Sequence, residues 1–349
     1  MRRSVRRTAW VWGASAALLA AGLLAGAGGQ PSRPGGASAS VIESAEPWDF
    51  NGVQGQLVRT RHYALYITER APVIAERLPG FMEASLERYR TVLGPLRAPE
   101  GRMETYVMAN RAQWQALTAQ QMGERARTLL KIERGGFAVG GKAYLFDIGA
   151  VDTMSITAHE GWHQFTQRSF AEPMPVWLEE GIAAYMEGHR WTPKGWVFNG
   201  WMNLERFDTL REASDKNELL GLEDLLNSAP DAMLGWNSQG AVMYYGQVWA
   251  LVHFLREGEE GKHRAALEKL VSDAAEGRRS AFVLTQMGEK AASSLTAKRV
   301  GPMIFRAYFD RDLERAGREY RAFVKRLVGP GSRQAIVEGR SPLEQRTGR

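Results

Sequence analysis

The chain has no cysteine and only six histidines in 349 residues. The first absence excludes disulfides, thiolate metal sites and cysteine nucleophiles. The scarcity of histidine means that any imidazole chemistry must be drawn from His62, His159, His163, His189, His253 and His263. No internal repeat recurs at a spacing of roughly 20–50 residues, which sets aside solenoids and propellers. The glycine-rich stretch Gly135–Gly149 contains neither G-K-[ST] nor G-x-G-x-x-G, so a phosphate-cradling loop has little support there. A general basic character is also missing. Four arginines of residues 1–27 supply most of the formal charge of +6, leaving about +2 for the rest.

What is present is ordinary for a globular chain. A hydrophobic share of 44% and a charged share of 24% allow a sizeable core. Residues 1–27 begin with Arg2, Arg3, Arg6 and Arg7 and continue as a small, apolar run over Thr8–Ala27. This is the anatomy of a secretory signal peptide, with an uncleaved anchor over residues 8–27 as the competing reading. Either way the expected location is exported, periplasmic or secreted. Residues 28–47 read as a flexible leader, 48–328 as the folded domain and 329–349 as a disordered basic tail. Ala297–Arg349 holds 13 Lys+Arg against 6 Asp+Glu. Such a region can meet anionic lipid, wall polymer or nucleic acid, but a solvated helix face and tail is the preferred reading, and no specific nucleic acid is implied.

Along the chain, Leu57–Thr68 is rich in β-branched and aromatic residues and reads as one or two strands, with Met103–Met108 as another. Ala71–Leu93 reads as helical, broken at Pro79-Gly80. Asn110 is placed to cap a helix over Arg111–Gln121. Two short apolar runs flank Gly140-Gly141, a hairpin signal, and the second of them is Lys142–Phe146. Asp152 or Thr153 can open a helix that runs to about Arg168, and Ala171–Pro175 separates it from a second over Val176–Glu187. Further helices are expected over Leu219–Asn227, Ala241–Arg256, His263–Ala275 and, as a pair, Gly301–Val328. Trp191, Trp196 and Trp201 either wall a cleft or form a small core under a loop. The expected class is α+β, a small mixed or antiparallel sheet beside a mainly helical part.

One stretch carries chemistry. His159-Glu160-Gly161-Trp162-His163 is H-E-x-x-H. Histidines four apart on a helix share a face and can converge on one ion. Glu160 then serves a metal-activated water as general base. A catalytic zinc needs a third protein ligand and an open fourth position, and Glu180 of the following helix can supply that ligand. Ligand histidines usually give their other N–H to a carboxylate. Glu187, two turns beyond Glu180 on the same face, is the first candidate, and Glu179 the second. Gly181 inside the second helix is expected where the two helices pack closely.

Thr157-Ala158-His159-Glu160 with His163-Gln164, followed by Trp177-Leu178-Glu179-Glu180-Gly181-Ile182-Ala183-Ala184-Tyr185-Met186-Glu187, resembles the gluzincin metallopeptidases. More narrowly it is similar to the peptidase MA-like secreted bacterial proteins, which are related at the site to M1 aminopeptidases. The resemblance implies a zincin-like subdomain within residues 48–328, one Zn²⁺ per chain on His159, His163 and Glu180, and a peptide or protein substrate. It implies that Tyr245 donates its hydroxyl to the oxyanion, and that Lys142–Phe146 edges the cleft and pairs with extended substrate. The G-x-M-x-N segment with which the aminopeptidases hold a substrate amine is not found in Gly135–Gly149, which leaves an endopeptidase as the default. The alternative is an inactive metal-binding or envelope-interaction protein that keeps the fold, although structure alone gives no reason to retain Glu160.

Overall fold

Alternation of side chains along β4 (Met103–Met108) decides how the molecule is layered. Met103 and Val107 face the larger core, whereas Tyr106 and Met108 face a smaller one on the other side. A computed structural model describes residues 41–68, 72–230, 238–288 and 301–344 of the chain. The proposed signal or anchor at 1–27 and most of the proposed leader lie outside the described residues.

The fold is α+β. Strands β1 (Ser44–Phe50), β2 (Val53–Arg59), β3 (Tyr63–Thr68), β4, β5 (Gly136–Val139) and β6 (Lys142–Phe146) form one sheet in the order β1-β2-β3-β4-β6-β5. The first three are an antiparallel meander, β3, β4 and β6 are parallel, and β5 returns antiparallel on β6. Parallel neighbours need crossovers. Helix α1 (Pro72–Thr91) supplies one over the larger core, and α2 (Arg111–Met122) begins the other over the smaller. Asn110 caps α2 by accepting from Gln113 N. The four-residue α3 (Ala126–Leu129) follows.

Helix α4 (Ala150–Ser169) leaves β6 and is buried without interruption from Ile156 to Thr166. All ten residues from Trp177 to Met186 of α5 (Val176–Met186) are buried. Helices buried on every side lie in the middle of a core. Here α4 packs on α1 and the sheet, α5 packs on α4, and α8 (Ser238–Glu257) covers α5 from the far side. Around this core lie α6 (Leu204–Asp215), α7 (Leu222–Asn227), α9 (Arg264–Glu276), α10 (Arg279–Met287), α11 (Gly301–Tyr308), α12 (Leu313–Leu327) and α13 (Ser332–Glu338). Among the described residues no helix is long and apolar enough to cross a membrane.

Several expectations need correcting. Strand β1 starts at Ser44, four residues before Trp48, inside the stretch expected to be a flexible leader. Helix α1 runs unbroken through Pro79, because Leu78, Phe81, Met82, Leu86 and Tyr89 are all buried on one face. That burial outweighs the roughly 3 kcal/mol cost of an interior proline. The residues expected to be a disordered tail from 329 include α13, which buries Ala335 and Ile336. Strand β6 is not the sheet edge; β5 is. Gly181 does permit a close approach, but to α8: a Cβ there would lie 2.7 Å from Val248 O. Trp191 and Trp196 belong to a hairpin of β7 (His189–Thr192) and β8 (Gly195–Phe198), while Trp201 stacks on His253 in the main core.

Candidate metal centre

Helix α4 carries His159 and His163 one turn apart, with ring centroids 5.0 Å from each other. The Phe170–Pro175 connection docks on α9, where Ala171 N and Glu172 N donate to Ala275 O and Ala274 O. It turns the chain so that α5 delivers Glu180 to the same place. Glu180 Oε2 lies 3.4 Å from His159 Nε2 and 3.6 Å from His163 Nε2. One ligand atom from each of the three side chains falls within 4.8 Å of the others.

The far nitrogens are held by carboxylates. His159 Nδ1 is 2.8 Å from Glu187 Oε1, and His163 Nδ1 is 3.1 Å from Glu179 Oε1. An N–H given to a carboxylate at Nδ1 leaves Nε2 as the lone-pair donor. Both Nε2 atoms, both Glu180 oxygens and both Glu160 oxygens are buried without a hydrogen-bond partner. Buried polar atoms are rarely left so, and this set of two nitrogens and a carboxylate fits a divalent cation.

Charge and burial act together here. Burial disfavours the imidazolium forms, yet Glu180 and Glu187 raise His159, and Glu180 and Glu179 raise His163. Burial pushes Glu180 up, but the two imidazoles more than reverse it and hold its carboxyl well below the usual range. Glu187 is brought down to about 2 against burial, chiefly by Arg206 and then His159. Glu160 is pushed up to about 7 by burial, with the two histidines opposing.

Of the two tyrosines of α8, Tyr245 is the one at the site, edge-on to the His159 ring at 5.8 Å. Tyr244 turns away and donates to Ser228 O at 3.3 Å. Burial and then the charge of Glu180 raise the Tyr245 hydroxyl well above its ordinary value, so it keeps its proton. The other histidines are not members of the three-residue cluster. His62 Nδ1 is 2.7 Å from Glu83 Oε2, His189 Nδ1 is 2.8 Å from Glu187 O, His253 Nδ1 is 2.9 Å from Glu257 Oε2, and His263 packs on Phe254 and Phe309.

Sequence reasoning misses Arg206, Asn203 and Thr166. Arg206 donates to both Glu187 oxygens at 2.8 and 3.0 Å, and Asn203 Nδ2 donates to Glu187 Oε2 at 2.7 Å. Thr166 Oγ1 donates to Glu179 Oε1 at 2.7 Å. A signal for Arg206 does exist. It shares the apolar stripe of α6 with Leu210 and Ala213, and a buried arginine demands a buried acid.

A family model described as "Protein of unknown function (DUF1570)" matches residues 153–276, about a third of the chain. That span carries both histidines, the four glutamates Glu160, Glu179, Glu180 and Glu187, and Asn203, Arg206 and Tyr245. No curated protein matches the chain.

Proposed function

We propose that this chain hydrolyses peptide bonds with the help of one zinc ion, acting as an endopeptidase. The observation that carries the reading is the set of unpaired, buried atoms on His159, His163 and Glu180, with the unpaired carboxylate of Glu160 beside them. His159, His163 and Glu180 would hold the zinc, which would supply Lewis acidity and bring the pKa of a water toward about 7.

The chain's own residues do the rest. Glu160 takes a proton from the water that attacks the carbonyl carbon and hands it to the leaving amine. Tyr245 offers its O–H to the carbonyl oxygen as negative charge collects there. Glu187 and Glu179 fix the two imidazole rings. Burial of His159, Glu160, Glu180 and Tyr245 at 0–1% exposure keeps bulk water away and strengthens each of these interactions.

That same burial favours a second reading, a metal-binding protein without turnover. Against it, structural zinc sites take four protein ligands, and only three gather here among the described residues. Metal analysis and proteolysis assays on wild type and Glu160→Gln separate the two. We expect about one zinc per chain in both proteins and cleavage by the wild type alone. Metal loss in a folded Glu160→Gln, or equal turnover by both, contradicts the role given to Glu160.

A further inference from the structure

We infer that Arg206 is a positioning residue for this site: it locks the carboxylate that orients His159 and seats the ring of Tyr245. The inference rests on the zinc hydrolase reading and names what holds that site in shape.

Arg206 is fully buried on α6 and reaches Glu187 with two nitrogens. Glu187 in turn fixes His159 Nδ1. The guanidinium carbon also lies 5.0 Å above the Tyr245 ring, which itself meets the His159 ring edge-on. Four residues from α4, the end of α5, α6 and α8 thus close a ring of contacts. Gly246, next to Tyr245, makes this possible. A Cβ there would lie 3.1 Å from Arg206 O, so a larger residue would push α6 away.

The other half of the site is built differently. Glu179 receives Thr166 Oγ1 on one oxygen, while its second oxygen has no hydrogen-bond partner. His159 is therefore the rigidly held ligand and His163 the adaptable one. A mere counter-ion for Glu187 would need charge alone. A positioning residue needs the planar two-pronged geometry that lysine lacks.

The test uses full-length wild type, Arg206→Lys and the double variant Glu187→Gln/Arg206→Met, which removes both buried charges together. Zinc affinity is read by chelator competition, and the ligand field by the absorbance of the Co²⁺-loaded protein. Arg206→Lys should bind zinc about 10–100-fold more weakly and show a changed Co²⁺ spectrum. Its turnover should stay low at saturating zinc because the Tyr245 ring has lost its seat. The double variant should show the same loss of affinity. Wild-type affinity and spectrum in Arg206→Lys overturn the inference and leave the hydrolase reading standing. If the lysine variant does not fold, wild-type affinity in the double variant overturns it equally. A wild-type protein that binds no zinc removes both readings.

Discussion

Tyr244 and Tyr245 are adjacent and both fully buried, yet their surroundings assign them different work. Tyr244 is anchored to Ser228 O, and Tyr245 lies against His159. On the proposed hydrolase reading, Tyr245→Phe should lower kcat about 10²–10³-fold with little change in zinc content, since a single oxyanion donor is worth that much. Tyr244→Phe should leave the rate close to wild type. Assays of the two variants side by side check the assignment, and equal losses would refute it. Away from the site, Glu83 ties the β2–β3 connection to α1, accepting from Thr60 Oγ1 at 2.6 Å and His62 N at 2.8 Å. Burial raises its carboxyl, but the bonds from His62 and Thr60 prevail and set it below its ordinary value. A depressed pKa stabilises the fold above the unfolded-state value and ceases to do so as the pH drops through the folded one. Glu83→Gln should therefore melt below wild type at neutral pH, with the gap closing below about pH 4. Melting curves across that range measure it.

Elements with strong local signals were legible in the sequence. Asn110 announced α2, Met103–Met108 matched β4, and Gly140-Gly141 marked the β5–β6 hairpin. The hairpin of β1 and β2 was overlooked although Asn51-Gly52 is a strong turn pair, because Ser44 to Pro47 are exposed and show no alternation. Strand order is not a local property, so nothing in Lys142–Phe146 told whether it or Gly136–Val139 would form the edge. At the centre, the spacing of His159, His163 and Glu180 was legible because two helices supply it. Arg206 had only its place on the apolar stripe of α6 as a signal, and its acid, 19 residues away, is joined to it by tertiary packing alone. Within the basic C-terminal stretch, Arg315 pairs with Asp310, Arg326 with Glu259 and Arg333 with Asp208. Gly181 gives the test at this scale. Alanine gains about 1 kcal/mol of helix propensity, but its Cβ would meet the backbone of α8, where overpacking costs about 1–3 kcal/mol. Gly181→Ala should lower the melting temperature by a few degrees, and a rise would show that α8 yields.

Across the whole molecule, α13 closes on α6 and holds it against α8. Arg333 pairs with Asp208, and Ala335 and Ile336 are buried beneath. The pair is partly exposed and contributes about 0–1 kcal/mol, whereas burying the isoleucine contributes about 1.5–3 kcal/mol. Truncation after Gly331 should thus lower thermal stability well beyond Asp208→Asn, as calorimetry of the two would show. Equal effects would mean that the ion pair, and not the apolar contact, seats the helix.

Asp208 is two residues from Arg206, so the brace and the residue that steadies Glu187 share one turn of α6. The ribosome makes the histidines early and residues 332–338 late. The imidazoles of a growing chain accordingly wait for a support more than 160 residues downstream, and a protein cut short by a late stop codon would present its ligands on a loosened frame.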